Sequence, residues 1–217
     1  VSDPLLDLRD IEFAYPGREP LLRGVSLAVG VGERVGLTGA NGAGKSTLLH
    51  IAIGLLAPRG GTVTVAGERC ATERDFMRAR RSMGLLFQHS DDQLFCATVE
   101  EDLAFGPFNL GLPREEVAAR VRDTLDQLGI APLARRLVHR LSEGEKRLAA
   151  LGTLLTMRPR LLLLDEPTTG LDDAARARLL EIIARLPSAL LIATHDRALL
   201  SALNARRLHL RSGLLAE

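Results

Sequence analysis

Residues Gly39-Ala40-Asn41-Gly42-Ala43-Gly44-Lys45-Ser46 meet the pattern G-x-x-x-x-G-K-[ST] at every fixed position. The apolar run 34–37 ahead of them reads as a strand, and 47–56 behind them as a helix. Strand, loop and helix in that order are the context in which this pattern cradles phosphate. Glycines let successive backbone N–H groups turn inward toward phosphate oxygens. The helix N-terminus adds partial positive charge at the same place. Lys45 can then reach the β- and γ-phosphates of a nucleotide, and the Ser46 hydroxyl can ligate Mg²⁺. A glycine-rich turn with a chance lysine would not account for both flanks.

A second signal is Leu161-Leu162-Leu163-Leu164-Asp165-Glu166-Pro167. Four consecutive leucines mark a strand buried on both faces. It delivers two acids at its C-terminal end, the side on which open parallel sheets bind ligands. Asp165 is placed to hold Mg²⁺, directly or through water, and Glu166 to orient or deprotonate an attacking water. Alone, an acidic turn after a strand would be unremarkable.

Alternation and turn residues predict strands at 5–15, 25–29, 62–66 and 83–87, with a last buried strand at 189–193. Helical periodicity and capping residues predict helices starting at Thr98 and covering 113–128, 142–157, 173–186 and 196–203. An early block of strands followed by alternating helix and strand indicates an α/β core with an antiparallel β subdomain. Lysine plus arginine number 28 against 27 acids, a net charge of +1, which gives a nucleic-acid partner no electrostatic footing. Cys70 and Cys96 stand in no metal spacing and suit a reducing compartment. No apolar run approaches the ~20 residues that cross a bilayer, and no signal peptide is read at the start. The arginines at 78, 80 and 81 and at 206 and 207 read as solvated faces, and His50, His89, His139 and His209 as surface or packing residues.

Leu141-Ser142-Glu143-Gly144-Glu145 resembles the signature motif of ATP-binding cassette (ABC) ATPases, usually Leu-Ser-Gly-Gly-Gln. Other stations of that family fall in order. Tyr15 stands where an aromatic stacks on adenine, Gln88 where the Q-loop glutamine ends a strand, Thr169-Gly170-Leu171-Asp172 as the D-loop, and His195 as the switch histidine. Taken singly, Tyr15 would be a turn-packing aromatic, Gln88 a polar strand end, and His195 a helix-start residue capped by Thr194 or Asp196. Together they make the chain similar to ABC ATPases over nearly its whole length.

The resemblance implies a P-loop NTPase core of the ABC ATPase type, with an antiparallel β subdomain and a helical subdomain at about 90–160. It implies one domain over 1–217, with no additional C-terminal domain. It implies ATP held by Tyr15, Gly39, Asn41, Gly42, Ala43, Gly44, Lys45, Ser46, Thr47 and Gln88, with Mg²⁺ on Ser46, Gln88 and Asp165. The catalytic residues it implies are Glu166, His195 and Lys45. Ser142 and Gly144 would close over the γ-phosphate bound to a second ATPase subunit, an identical copy or a paralogue. Two departures stand out: Glu143 replaces a glycine and Glu145 the glutamine. Both acids either weaken γ-phosphate binding or face outward.

The stretch Phe87-Gln88-His89-Ser90-Asp91-Asp92-Gln93-Leu94-Phe95, followed by Thr98-Val99-Glu100-Glu101-Asp102-Leu103-Ala104-Phe105-Gly106-Pro107, resembles the ATPases of energy-coupling factor (ECF) importers of the cobalt/nickel and biotin type. That likeness implies a short helix after the Q-loop. There the 88–95 region, with Leu94 and Phe95 exposed, receives a transmembrane coupling subunit at the cytoplasmic face of a bacterial membrane. Otherwise the two are core residues. The remaining alternatives are an ATPase of another ABC transporter class, a nucleotide-sensing subunit, or a non-transport ABC protein acting as a clamp. Clamps usually carry a coiled-coil insertion or fused cassettes, and this sequence shows neither.

Overall fold

The computed structural model describes residues 3–216, so residues 1, 2 and 217, the ends of the expected domain, lie outside the described residues. The chain opens with β1 (Leu6–Phe13), β2 (Leu22–Val29) and β3 (Arg34–Thr38), then α1 (Lys45–Ala52), β4 (Gly60–Val65), β5 (Glu68–Cys70), α2 (Glu73–Ala79) and β6 (Met83–Leu86). Next come α3 (Val99–Asn109), α4 (Arg114–Leu128) and α5 (Glu143–Leu155). The chain ends with β7 (Leu161–Asp165), α6 (Asp173–Arg185), β8 (Ala189–Ala193), α7 (Arg197–Ala202), β9 (Arg206–Arg211) and β10 (Leu214–Ala216).

The chain divides into two compact units. The first comprises residues 3–85, 160–166 and 187–216. It carries an antiparallel sheet in the order β2-β1-β4-β5, and a larger sheet in the order β10-β9-β3-β8-β7-β6. In the larger sheet β3 runs parallel to both β8 and β9, and β7 parallel to β8. All five residues of β7 and of β8 are buried, which is why these segments read as unbroken apolar runs rather than alternations. In β1 the inward set is Leu6, Leu8, Ile11 and Phe13. A bulge between Leu8 and Ile11, with Asp10 at φ 51°, restores the inward phase after one extra residue. This is the physical reason its alternation is imperfect.

The second unit comprises residues 86–159 and 167–186 and holds α3 to α6. Its helix ends are capped by side chains. The Glu101 carboxylate accepts from Thr98 N at 2.9 Å at the start of α3. Gly129, at φ 61°, ends α4, and Arg178 donates to the carbonyls of Leu128 and Gly129 there at 2.8 and 2.7 Å.

Two expectations are corrected. The helix after the glycine loop stops at Ala52, not at residue 56. Gly54 turns the chain at φ 76°, and Arg80 takes up the exposed carbonyls by donating to Ile53 O and Gly54 O, each at 3.0 Å. The arginines around residue 80 are therefore not a merely solvated face. Nor are Arg206 and Arg207, which open β9 inside the large sheet, with Arg206 paired to Glu33 at 2.8 Å. A Cβ added at Gly54 would stand 2.2 Å from Phe76 Cγ, in a backbone conformation that side chains resist. Gly54→Ala should cost about 1–3 kcal/mol. Urea unfolding should show a lower midpoint at an unchanged slope.

Candidate functional site

In the first unit the ends of three parallel strands converge. β3 runs into the glycine loop, β7 ends in Asp165 and Glu166, and β8 ends just before Thr194 and His195. Asp165 lies opposite Ala193 in the register, and Glu166 N donates to Ala193 O at 2.8 Å. The adjacency of the acids and the histidine is thus fixed by strand pairing.

The loop itself fits a phosphate. Gly39 (φ 152°) and Gly44 (φ 104°) adopt backbone conformations that favour glycine, and Gly44 forms the N-cap of α1. A Cβ at Gly39 would lie 2.4 Å from Leu210 O, so the curl is also sterically closed to other residues. Lys45, 6% exposed, donates to Gly39 O at 2.9 Å and Ala40 O at 3.3 Å, and its Nζ lies 3.9 Å from Glu166 Oε1. Its ammonium therefore reaches across the loop to the acid. Tyr15 meets the Thr47 hydroxyl at 3.1 Å and stands edge-on to Phe13 with ring centroids 4.9 Å apart. The aromatic is thereby anchored beside the loop while remaining partly exposed.

Asp165 is buried, and its Oδ1 has no hydrogen-bond partner. Burial raises its pKa, opposed first by a hydrogen bond from the Ser46 hydroxyl. A buried carboxylate oxygen without a partner, next to a hydroxyl and a phosphate cradle, is the donor set that suits Mg²⁺. That ion takes one or two protein oxygens and completes its shell from phosphate and water. Among the described residues no group of three or more His, Cys, Asp or Glu could hold a metal.

Glu166 is more tightly held than the sequence suggests. It sits at φ 41°, a strained value for a non-glycine residue, of the kind functional sites tolerate. Its Oε2 accepts from Thr194 Oγ1 at 3.1 Å and His195 N at 3.4 Å, with His195 Nδ1 2.9 Å away. Because a carboxylate only accepts, Nδ1 carries the proton in this contact. The helix-start alternatives resolve together: Asp196 caps α7 by accepting from Leu199 N, while Thr194 is turned to Glu166. From sequence Thr194 reads only as a possible cap; that its fully buried hydroxyl contacts Glu166 is legible only once the strand register is known.

Gln88, Ser142 and Gly144 belong to the second unit. Ser142 is the N-cap of α5: its Oγ accepts from Glu145 N at 3.3 Å and Glu145 Oε2 accepts from Ser142 N at 2.8 Å. Glu145 Oε1 accepts from Arg136 Nη1 at 2.9 Å. The hydrogen bond from Ser142 N, before the others, lowers the Glu145 pKa. Glu143 is exposed, 3.5 Å from the Ser90 hydroxyl. Arg147, 1% exposed, donates to Phe87 O at 2.6 Å and to Gln88 O. Gln93 accepts from Phe87 N at 3.3 Å and donates to Ala150 O at 2.7 Å. The backbone around Gln88 is thus tied to α5 at three points. Arg147 was missed in the sequence, although a lone arginine ahead of Leu148-Ala149-Ala150-Leu151 was the available signal.

The turn after Gln88 is a 3₁₀ helix at Ser90–Asp92. Leu94 is buried and Phe95 is 66% exposed, so the expectation that both face a partner is corrected for Leu94, which is a core residue. Phe95 stands edge-on to Phe105 at 4.7 Å. Phe105 and Phe108 line a groove of about 1030 Å³ between α3 and α4.

A Walker-type phosphate cradle, a strand-end acid pair and a capped signature turn, on a mixed sheet, define a nucleotide-hydrolysing ABC cassette. The ABC transporter family profile matches residues 22–169. A putative ABC transporter ATP-binding protein of Nitratidesulfovibrio vulgaris is 50% identical over 90% of this chain and 72% of its own length. The energy-coupling factor transporter ATP-binding protein EcfA of Methanothermobacter thermautotrophicus is 43% identical over 98% of this chain and 70% of its own. Among solved structures, CbiO1 of Clostridium perfringens, described as part of the ABC transporter complex CbiONQ, superposes with a TM-score of 0.89. It has 31% identity and the match covers 100% of this chain and 88% of that one. The dimeric cassette MJ0796, solved bound to ADP and Pi, matches with a TM-score of 0.87 at 24% identity, over 98% of this chain and 97% of its own. The chain belongs to the ABC transporter family, as an ATP-binding, ATP-hydrolysing subunit of a transporter.

Arg147→Met would leave the carbonyls of Phe87 and Gln88 without their buried donor. It should lower stability by about 2–4 kcal/mol. Hydrogen exchange should show the largest loss of protection around residues 87–95.

Proposed function

We propose that this chain is the ATPase of an ECF-type importer, carrying a transition metal ion such as cobalt or nickel, or a vitamin such as biotin. The observation that carries the hydrolytic part is the buried Glu166 carboxylate, held between Lys45, Thr194 and His195 at the end of β7. The ECF assignment is supported by the 87–107 sequence and by likeness to EcfA and to CbiO1, itself part of CbiONQ.

In this reading the loop N–H groups and Lys45 bind the triphosphate, and Tyr15 packs on the adenine. Ser46 and Asp165 would hold Mg²⁺, which would draw charge from the phosphates and favour the leaving diphosphate. Glu166 orients a water and takes up its proton as the water oxygen attacks the γ-phosphorus, and the bond to the bridging oxygen breaks to release ADP. His195, held through Nδ1, would meet the γ-phosphate through Nε2, which must carry a proton to donate to a phosphate oxygen. Ser142 and the Gly144 N–H of a second subunit close the site, aided by the N-terminus of α5. The dimer does work only if it binds two states of a membrane subunit unequally. Among the described residues no helix is long and apolar enough to cross a membrane. In this reading the chain acts at the cytoplasmic face of a bacterial membrane through such a partner, received at the exposed Phe95–Phe105 surface.

Glu166→Gln should retain ATP binding, accumulate as an ATP-bound dimer and lose at least ~100-fold in turnover. Undiminished phosphate release by this variant would remove Glu166 from the mechanism. Phe95→Ser should keep soluble ATP hydrolysis but fail to co-purify with a co-expressed transmembrane coupling subunit. Intact assembly would move the docking surface elsewhere. Identification of the solute bound to that purified complex tests the substrate class.

A further inference from the structure

Glu145 places a carboxylate in the signature turn, where related motifs carry an amide. An unpaired charge there would oppose a triphosphate approaching Ser142. Both of its oxygens are engaged. Oε2 accepts from Ser142 N at 2.8 Å, and Oε1 accepts from Arg136 Nη1 at 2.9 Å. Arg136 is itself steadied by donating from Nη2 to Arg140 O at 3.0 Å. The nearby cations on α5 are committed elsewhere: Lys146 pairs with Asp91 at 2.6 Å, and Arg147 is buried on the Phe87 and Gln88 carbonyls. The Ser142 oxygen accepts from Glu145 N, which leaves its own proton for an outside acceptor.

We propose that Arg136 is a positioning residue for ATP: by pairing with Glu145 it cancels one of the two acidic charges in the signature turn, and so raises the affinity with which that turn closes on the γ-phosphate of a second subunit. This rests on the two-subunit reading above. The pair is partly exposed, 45% at Arg136 and 30% at Glu145, so it contributes little to folding. Its effect appears when a highly charged ligand arrives. A unit charge left unpaired within a helical turn of a phosphate weakens binding on the order of fivefold.

The test measures ATP-driven dimerisation of the full chain in the Glu166→Gln background, by light scattering across an ATP titration with Mg²⁺. Arg136→Met should raise the ATP midpoint about fivefold. In an added Glu145→Gln background, where the amide keeps the capping role without charge, the same Arg136→Met change should move the midpoint less than twofold. An unchanged midpoint for Arg136→Met overturns the proposal, as does an equal loss in both backgrounds, which would make Arg136 merely structural. A parent that binds ATP yet stays monomeric at every concentration overturns the two-subunit reading and this proposal with it. A parent that dimerises beside an unaffected Arg136→Met variant overturns only this proposal.

Discussion

Parallel pairing of β3, β8 and β7 is the constraint from which the chemistry of the first unit follows. Each strand is apolar and largely buried, so all three belong in the interior of the sheet, and their pairing holds the register. The register sets Asp165 opposite Ala193 and Leu37 opposite Ala193 from the other side. The loop lysine, the acid pair and the histidine therefore emerge at one edge. A loop alone could not hold Glu166 between Lys45 and His195; the sheet does.

Much of this was legible because the strongest signals are local. The glycine loop and the leucine run before Asp165 are contiguous patterns with contiguous meaning, and the capping residues Thr98, Ser142 and Gly129 mark helix ends near where they fall. What stayed hidden depends on distant partners. The early end of α1 follows from Gly54 and from an arginine 26 residues further on. β9 begins with two arginines and alternates, so its place beside β3 could not be read from hydropathy. Leu94 and Phe95 are adjacent and equally apolar, yet one is core and the other exposed, a difference set by tertiary packing alone. Asp102, buried and accepting from Phe95 N and Cys96 N at 3.1 and 3.0 Å, looked in sequence like one more acid in a helix's first turn.

The second unit achieves a similar precision with polar ties instead of strand register. Arg147 and Gln93 bind the backbone beside Gln88 to α5, the helix that Ser142 caps. The signature turn and the Q-loop segment thus share one rigid element. On the reading proposed above, the turn that would face nucleotide and the aromatic surface that would receive a partner lie in the same unit.

The left-handed backbone at Glu166 has a consequence for drift among relatives. At φ 41° valine, isoleucine and threonine are disfavoured before any question of reactivity arises, whereas glycine, asparagine and aspartate fit with less strain. A cassette of this lineage that abandons hydrolysis should therefore lose its carboxylate along a narrow set of replacements, and silent copies should be recognisable by a small or amide-bearing residue there.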